Sequence, residues 1–179
     1  MDNFCIMFLS GILLVSAGID FKRKKIPNLI TYPAMVIGLL YHGVMKGADG
    51  LYFSMAGLAV GTSIFLLPYL LGGMGAGDAK LMGAVGAMIG AKGALYAVAF
   101  TALVGGLYAV ILIVVHRSNF DGFLKKQLTT LWNFVLTRKY IPDPIQKGQK
   151  EIKLCYGIAI AVGTGLYMFF NQAEYLIFN

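Results

Sequence analysis

The chain has 179 residues, of which 58% are hydrophobic and only 13% are charged, and its mean hydropathy is +0.74. Soluble domains carry about 25% charged residues, so this composition excludes an ordinary soluble enzyme, a disordered chain and a secreted disulfide scaffold. The net charge of +7 does not describe a nucleic-acid surface, because the Lys and Arg residues sit between apolar runs and make no continuous basic face.

An integral membrane protein remains, and the scarcity of alternating segments favours helices over a β-barrel. Apolar runs fall at 4–19, 29–44, 51–71, 81–91, 94–115 and 154–178. A crossing needs about 20 mostly apolar residues. The third, fifth and sixth runs satisfy this, and the first two are marginal. The run 81–91 is too short alone, because its residues rise only about 16 Å as a helix. It either begins below the membrane surface or re-enters on the same side.

Charge separates the two. With six crossings and the N-terminus outside, the inner loops 20–28, 72–80 and 116–153 hold four, one and eight of the fifteen Lys and Arg, against Lys46 and Lys92 outside. A re-entrant fourth run would put most of the basic residues outside, against the positive-inside bias. The N-terminal run lacks a basic segment ahead of it and is followed by Lys22-Arg23-Lys24-Lys25, so it reads as a retained first span and not a signal peptide. In 116–153, Phe120, Leu124, Leu128, Leu131 and Val135 recur at helical spacing beside Lys125, Lys126 and Trp132. That pattern describes an amphipathic helix lying on the membrane surface. The expected fold is an all-α integral membrane protein, a single domain over 1–179. It has about six transmembrane helices, one of them short, and an amphipathic helix at the cytoplasmic face.

Few residues could carry chemistry. Cys5 and Cys155 lie in separate apolar stretches and make no CxxC or zinc spacing. His42 and His116 fall on opposite sides of the expected topology, which leaves no Ser-His-Asp or Cys-His set. Of eight acidic residues, Asp2, Asp49 and Glu174 fall near outer ends of spans, and Asp121, Asp143 and Glu151 lie in the basic loop. Asp20 ends the first span. Asp78 follows Gly72-Gly73-Met74-Gly75-Ala76-Gly77, just ahead of the short run. Both are expected at the cytoplasmic face. Singly, Asp20 reads as a solvated helix end and Asp78 as a helix N-cap. Together, two carboxylates converging at a partly desolvated boundary can share one proton, so that one acts as a base on water and the other as an acid. The glycines permit close approach of a substrate backbone. The same stretch is not a phosphate-binding loop, since Asp78 and Ala79 precede Lys80 and neither GxxxxGK[ST] nor GxGxxG after a strand is matched.

Three stretches resemble a known family. They are Asp20 followed by a basic cluster and Ile26-Pro27-Asn28, then Gly73-Met74-Gly75-Ala76-Gly77-Asp78-Ala79-Lys80-Leu81, and lastly Tyr156-Gly157-Ile158-Ala159-Ile160. Together they resemble the type IV prepilin peptidases, membrane aspartic proteases of the GxGD type. The chain is most similar to the short form associated with Flp/Tad pili. Cys155 stands where proline is common in that family. The resemblance implies that Asp20 and Asp78 form the catalytic pair and that Gly75 and Gly77 shape the site. It also implies that Lys80, Ile26, Pro27 and Asn28 flank the site. Pro27 suits a first helical turn, Asn28 is expected to bond neighbouring backbone, and Lys80 also reads as a lysine reaching the inner interface.

The implied reaction is hydrolysis of a pilin precursor between a short basic leader in the cytoplasm and a hydrophobic helix in the membrane. The implied partners are that prepilin and membrane lipid, with no nucleic acid. No metal or other cofactor is expected. The location is the cytoplasmic membrane of a bacterium or archaeon. Longer members carry two CxxC pairs and also N-methylate the pilin; without a CxxC, that second activity is not expected. The alternatives are an intramembrane GxGD protease acting deeper in the bilayer, and a transporter or assembly subunit that uses the aspartates as proton or ion ligands.

Overall fold

The computed structural model describes residues 2–70, 73–115 and 155–178. These form four α-helices, α1 (Asn3–Arg23), α2 (Asn28–Leu70), α3 (Ala76–Val115) and α4 (Tyr156–Phe178). The loop 116–153, with its expected amphipathic helix and His116, lies outside the described residues, as does Gly72.

Helix α1 buries Cys5, Leu9, Leu13, Ser16 and Asp20. Their spacing of three and four residues makes one stripe. Its opposite side exposes Met7, Leu14 and Phe21. A helix apolar on both sides suits a bundle surrounded by lipid. Lys24 ends it in a left-handed conformation, φ 50°, and its backbone N–H bonds the Asp20 carbonyl at 2.8 Å. Lys22 and Arg23 occupy the last turn, where cations complement the helix dipole.

Three helices among the described residues are long and apolar enough to cross a membrane: Asn3–Arg23, Asn28–Leu70 and Ala76–Ile111. Six crossings are expected from the apolar runs; two of the three others lie within α2 and α3, and the third is α4, which is not among these three helices. Helices α2 and α3 have 43 and 40 residues, and each is broken by one glycine in a non-helical conformation. Gly47 has φ 62° and Gly90 has φ 73°, a region that glycine enters without steric cost. Each long helix therefore consists of two helical segments, 28–46 with 48–70, and 76–89 with 91–115.

The short segment 76–89 is the centre of the fold. Every residue from 81 to 90 is buried. The two halves of α2 pack on it in opposite directions. Along 28–46, Met35 approaches Gly83 and Gly38 lies against Ala87. Along 48–70, Gly57 meets Gly86 and Gly61 meets the Met82 carbonyl. These seams of small residues bring backbones together, which in lipid supplies the packing attraction that apolar side chains alone do not. Segment 91–115 pairs antiparallel with α4, where Gly163 abuts Thr101 and Gly105 abuts Ala159. The rings of Tyr96 and Tyr167 stack at 6.1 Å in the same interface.

A side chain at Gly86 would meet the Gly57 carbonyl, whereas one at Gly11 would meet nothing within 4 Å. Gly86→Val is therefore expected to destabilise the bundle by about 1–3 kcal/mol or more. It should lower the thermal unfolding midpoint in detergent, and Gly11→Ala should leave that midpoint unchanged or raise it.

Candidate functional site

Asp78 stands in the first turn of α3, at the third helical position behind Gly75. The sequence suggests an N-cap there; the structure places the carboxylate three residues further in, where it caps by reaching back. Its Oδ2 accepts the Gly75 backbone N–H at 3.0 Å, and the Asp78 N–H bonds the Gly75 carbonyl at 3.1 Å. This is the return half of a capping box, made here with aspartate. It explains why the helix begins at Ala76, five residues before the apolar run starts.

Asp20 projects from the last turn of α1, an unfavourable end for a negative charge. It is held instead by another helix. Its Oδ2 accepts the backbone N–H of Gly157 at 2.9 Å, and Gly157 is the second residue of α4. Amides in the first turn of a helix have no partner within it and stabilise an anion. The fit is close: a Cβ on Gly157 would stand 2.9 Å from the Asp20 Cβ and 3.1 Å from its Cγ. The Cys155 thiol lies 4.0 Å from the Asp20 carbonyl oxygen.

The two carboxylates are thus held alike, each by one oxygen on a glycine amide at a helix N-terminus. They come from α1 and α3, are only 4% and 7% exposed, and lie close enough for their charges to act on one another. One end of the bundle therefore gathers the three sequence stretches around one pair of acids.

The flanking residues join the same end. Ile26 is buried and packs on Gly77, where a Cβ would come within 2.9 Å of the Ile26 carbonyl oxygen. Pro27 directly precedes α2, and its carbonyl accepts the Ile30 N–H at 3.1 Å. Asn28 does not spend its side-chain oxygen on neighbouring backbone as expected. Its Oδ1 accepts a hydrogen bond from Lys80 Nζ at 3.0 Å, and Nζ also lies 4.8 Å from the centre of the Tyr32 ring. Lys80 is therefore tied to α2 and makes no ion pair with either aspartate among the described residues. No group of three or more His, Cys, Asp or Glu suited to a metal occurs among the described residues.

Gly157 is the residue that reading the sequence missed. It was visible there within Tyr156-Gly157-Ile158, but nothing in a linear pattern says that its amide meets an acid 137 positions earlier.

A model of the type IV leader peptidase family matches residues 7–110. The chain is also similar to curated proteins named prepilin leader peptidase/N-methyltransferase. That of Xanthomonas campestris pv. campestris is 38% identical over 117 residues, covering 59% of this chain and 39% of the relative. That of Aeromonas salmonicida is 30% identical over 149 residues, covering 75% of this chain and 51% of the relative. That of Escherichia coli K12 is 30% identical over 112 residues, with 59% and 49% covered. The chain thus spans about half the length, or less, of these relatives. No solved structure matches it.

Two substitutions separate fit from surface contact here. Gly157→Ala places a methyl group against the Asp20 carboxyl and is expected to cost about 1–3 kcal/mol. Lys80→Met removes an exposed hydrogen bond and a cation–π contact and is expected to cost about 1 kcal/mol or less. Thermal unfolding in detergent should therefore move markedly for the first and little for the second.

Proposed function

Because the chain belongs to the type IV leader peptidase family and is a multi-pass helical membrane protein, we propose that it is an aspartic endopeptidase that removes the leader from a type IV prepilin of the Flp/Tad kind. The observation that carries this reading is the matched holding of Asp20 and Asp78. Each gives Oδ2 to a glycine amide, and in this reading the second oxygen of each serves the reaction.

In this mechanism the two carboxyls hold one proton between them, since like charges at close range in a poorly solvated site do not both persist. The ionised member takes a proton from a water molecule as that water attacks the scissile carbonyl. The protonated member donates to the carbonyl oxygen as it becomes an oxyanion. The resulting tetrahedral species collapses by breaking the C–N bond: the departing amine takes the proton that the first carboxylate drew from water, and the hydroxyl formed on the carbonyl oxygen returns its proton to the second carboxylate. The titration belongs to the pair and not to either residue. The glycine-rich approach to Asp78 keeps side chains away from the path of an extended substrate backbone.

The breaks at Gly47 and Gly90 support a chain that crosses six times, with 28–46, 48–70, 76–89 and 91–115 as separate crossings and 76–89 as the short one. The basic stretch Lys22-Arg23-Lys24-Lys25 beside Asp20 supports a cytoplasmic position for the acids and an outer N-terminus. A prepilin whose leader stays in the cytoplasm while its apolar helix occupies the bilayer brings its scissile bond to that level. The relatives' name couples two activities. The proposal concerns the peptidase, because it is the carboxylate pair that this site contains.

Asp20→Asn and Asp78→Asn test the pair. Each keeps the shape and the oxygen that meets the glycine amide but removes the acid–base function. Each is expected to lower cleavage of a co-expressed prepilin by about a hundredfold or more, while the protein still inserts at normal abundance. Normal cleavage by either variant would show that the pair does not act as proposed.

A further inference from the structure

The short segment 76–89 carries Asp78 in its first turn and ends at the break at Gly90. A helix that stops there leaves the carbonyls of its last turn without amide partners. Two side chains from α2, one on each side of Gly47, reach them. Ser54 Oγ donates to the Ala87 carbonyl at 2.6 Å, and His42 Nε2 lies 2.9 Å from the Met88 carbonyl oxygen. A carbonyl only accepts, so His42 carries its proton on Nε2. The imidazole is 4% exposed and Ser54 is fully buried. His42 Nδ1 is buried and has no partner. The ring packs edge-on against Phe53 at 5.0 Å, and the same Phe53 closes over Gly90.

We propose that His42 and Ser54 are positioning residues that clamp the C-terminal end of the short helix and so set the place of Asp78 at its other end, opposite Asp20. The helix is about 20 Å long, and close packing along both halves of α2 makes it move as one body. Release of its far end lets it shift along those seams. Asp78 then leaves its place relative to Asp20, whose own support comes from α4. The functional part of this inference rests on the peptidase reading; the structural part does not.

The test uses the full-length chain in lipid nanodiscs, with His42→Ala, His42→Gln and Ser54→Ala. The Gln side-chain amide can donate to the Met88 carbonyl in place of Nε2–H. Amide hydrogen exchange is followed in peptides covering 86–92 and 76–80. His42→Ala and Ser54→Ala are expected to speed exchange about tenfold or more in both peptides, and His42→Gln to keep the wild-type rates. A change confined to 86–92, or equal loss in His42→Gln and His42→Ala, overturns the proposal. If His42→Ala does not fold, Ser54→Ala carries the same comparison, because it removes one hydroxyl and no ring.

In a prepilin cleavage assay, kcat should fall about tenfold in the alanine variants with KM within about twofold of wild type. His42→Gln should restore kcat. An unchanged kcat in the alanine variants overturns the positioning role. If the wild-type protein cleaves no prepilin, it is the peptidase reading that fails, and the exchange comparison still decides the clamp.

Discussion

The structure depends on a solution to one electrostatic problem: two carboxylates must be kept together inside a bundle with very little charge. Water is largely excluded from them, and no basic side chain among the described residues pairs with either. The bundle supplies backbone N–H groups instead. Helix N-termini have such groups to spare, and they stabilise negative charge where a lysine or arginine would introduce a long, mobile side chain. This places strict demands on the chain. Helix α3 must begin at Ala76 so that Gly75 faces Asp78, and α4 must begin where Gly157 faces Asp20. Both donors are glycines. At Gly157 the reason is direct, because a Cβ would stand within 3.1 Å of the Asp20 carboxyl carbon.

The demand propagates into the fold. Asp20 and α1 are anchored through α4, while Asp78 rides on the short segment 76–89. That segment is surrounded by both halves of α2. Its glycines and alanines allow backbone-to-backbone contact, which fixes its height more sharply than a seam of large, rotatable side chains would. The breaks at Gly47 and Gly90 let the chain reverse without long loops. The break at Gly90 also leaves open carbonyls, and the side chains of His42 and Ser54 meet those of Met88 and Ala87. The catalytic reading and the architecture thus share one requirement, that two acids on different helices stay in register.

The residues around the acids divide by the kind of contact they make. Ile26 and Gly77 bring the start of α2 onto the start of α3 through close packing. Lys80 and Asn28 join the same two elements through an exposed hydrogen bond. The first contact is intolerant of added volume and the second is not, because an exposed polar pair exchanges readily with water. The motif is therefore not uniform in purpose. Its glycines determine where the backbone can go, its aspartate supplies the buried carboxylate on which the proposed chemistry rests, and its lysine fastens the start of α3 to α2.

The sequence by itself determined the helical membrane character, from hydropathy and from charge sorted between apolar runs. It also singled out Asp20 and Asp78, because the sequence pattern assigns each of the other six acids to an expected outer end of a span or to the basic loop. The unusual shortness of the run 81–91 was legible too, and the segment that holds it, 76–89, is the shortest helical segment among the described residues. These features reside in composition and periodicity, which act through local solvation. Only the tertiary structure decided that Asp78 caps from the third helical position, that Asn28 turns to Lys80 instead of to its own backbone, and that the Gly157 amide holds Asp20. It also decided that His42, which has no partner in the linear pattern, closes the far end of the short helix. Each of these pairs joins positions on different helices or depends on where a helix begins. Such contacts follow from the packing of backbones, which no local pattern of residue types encodes.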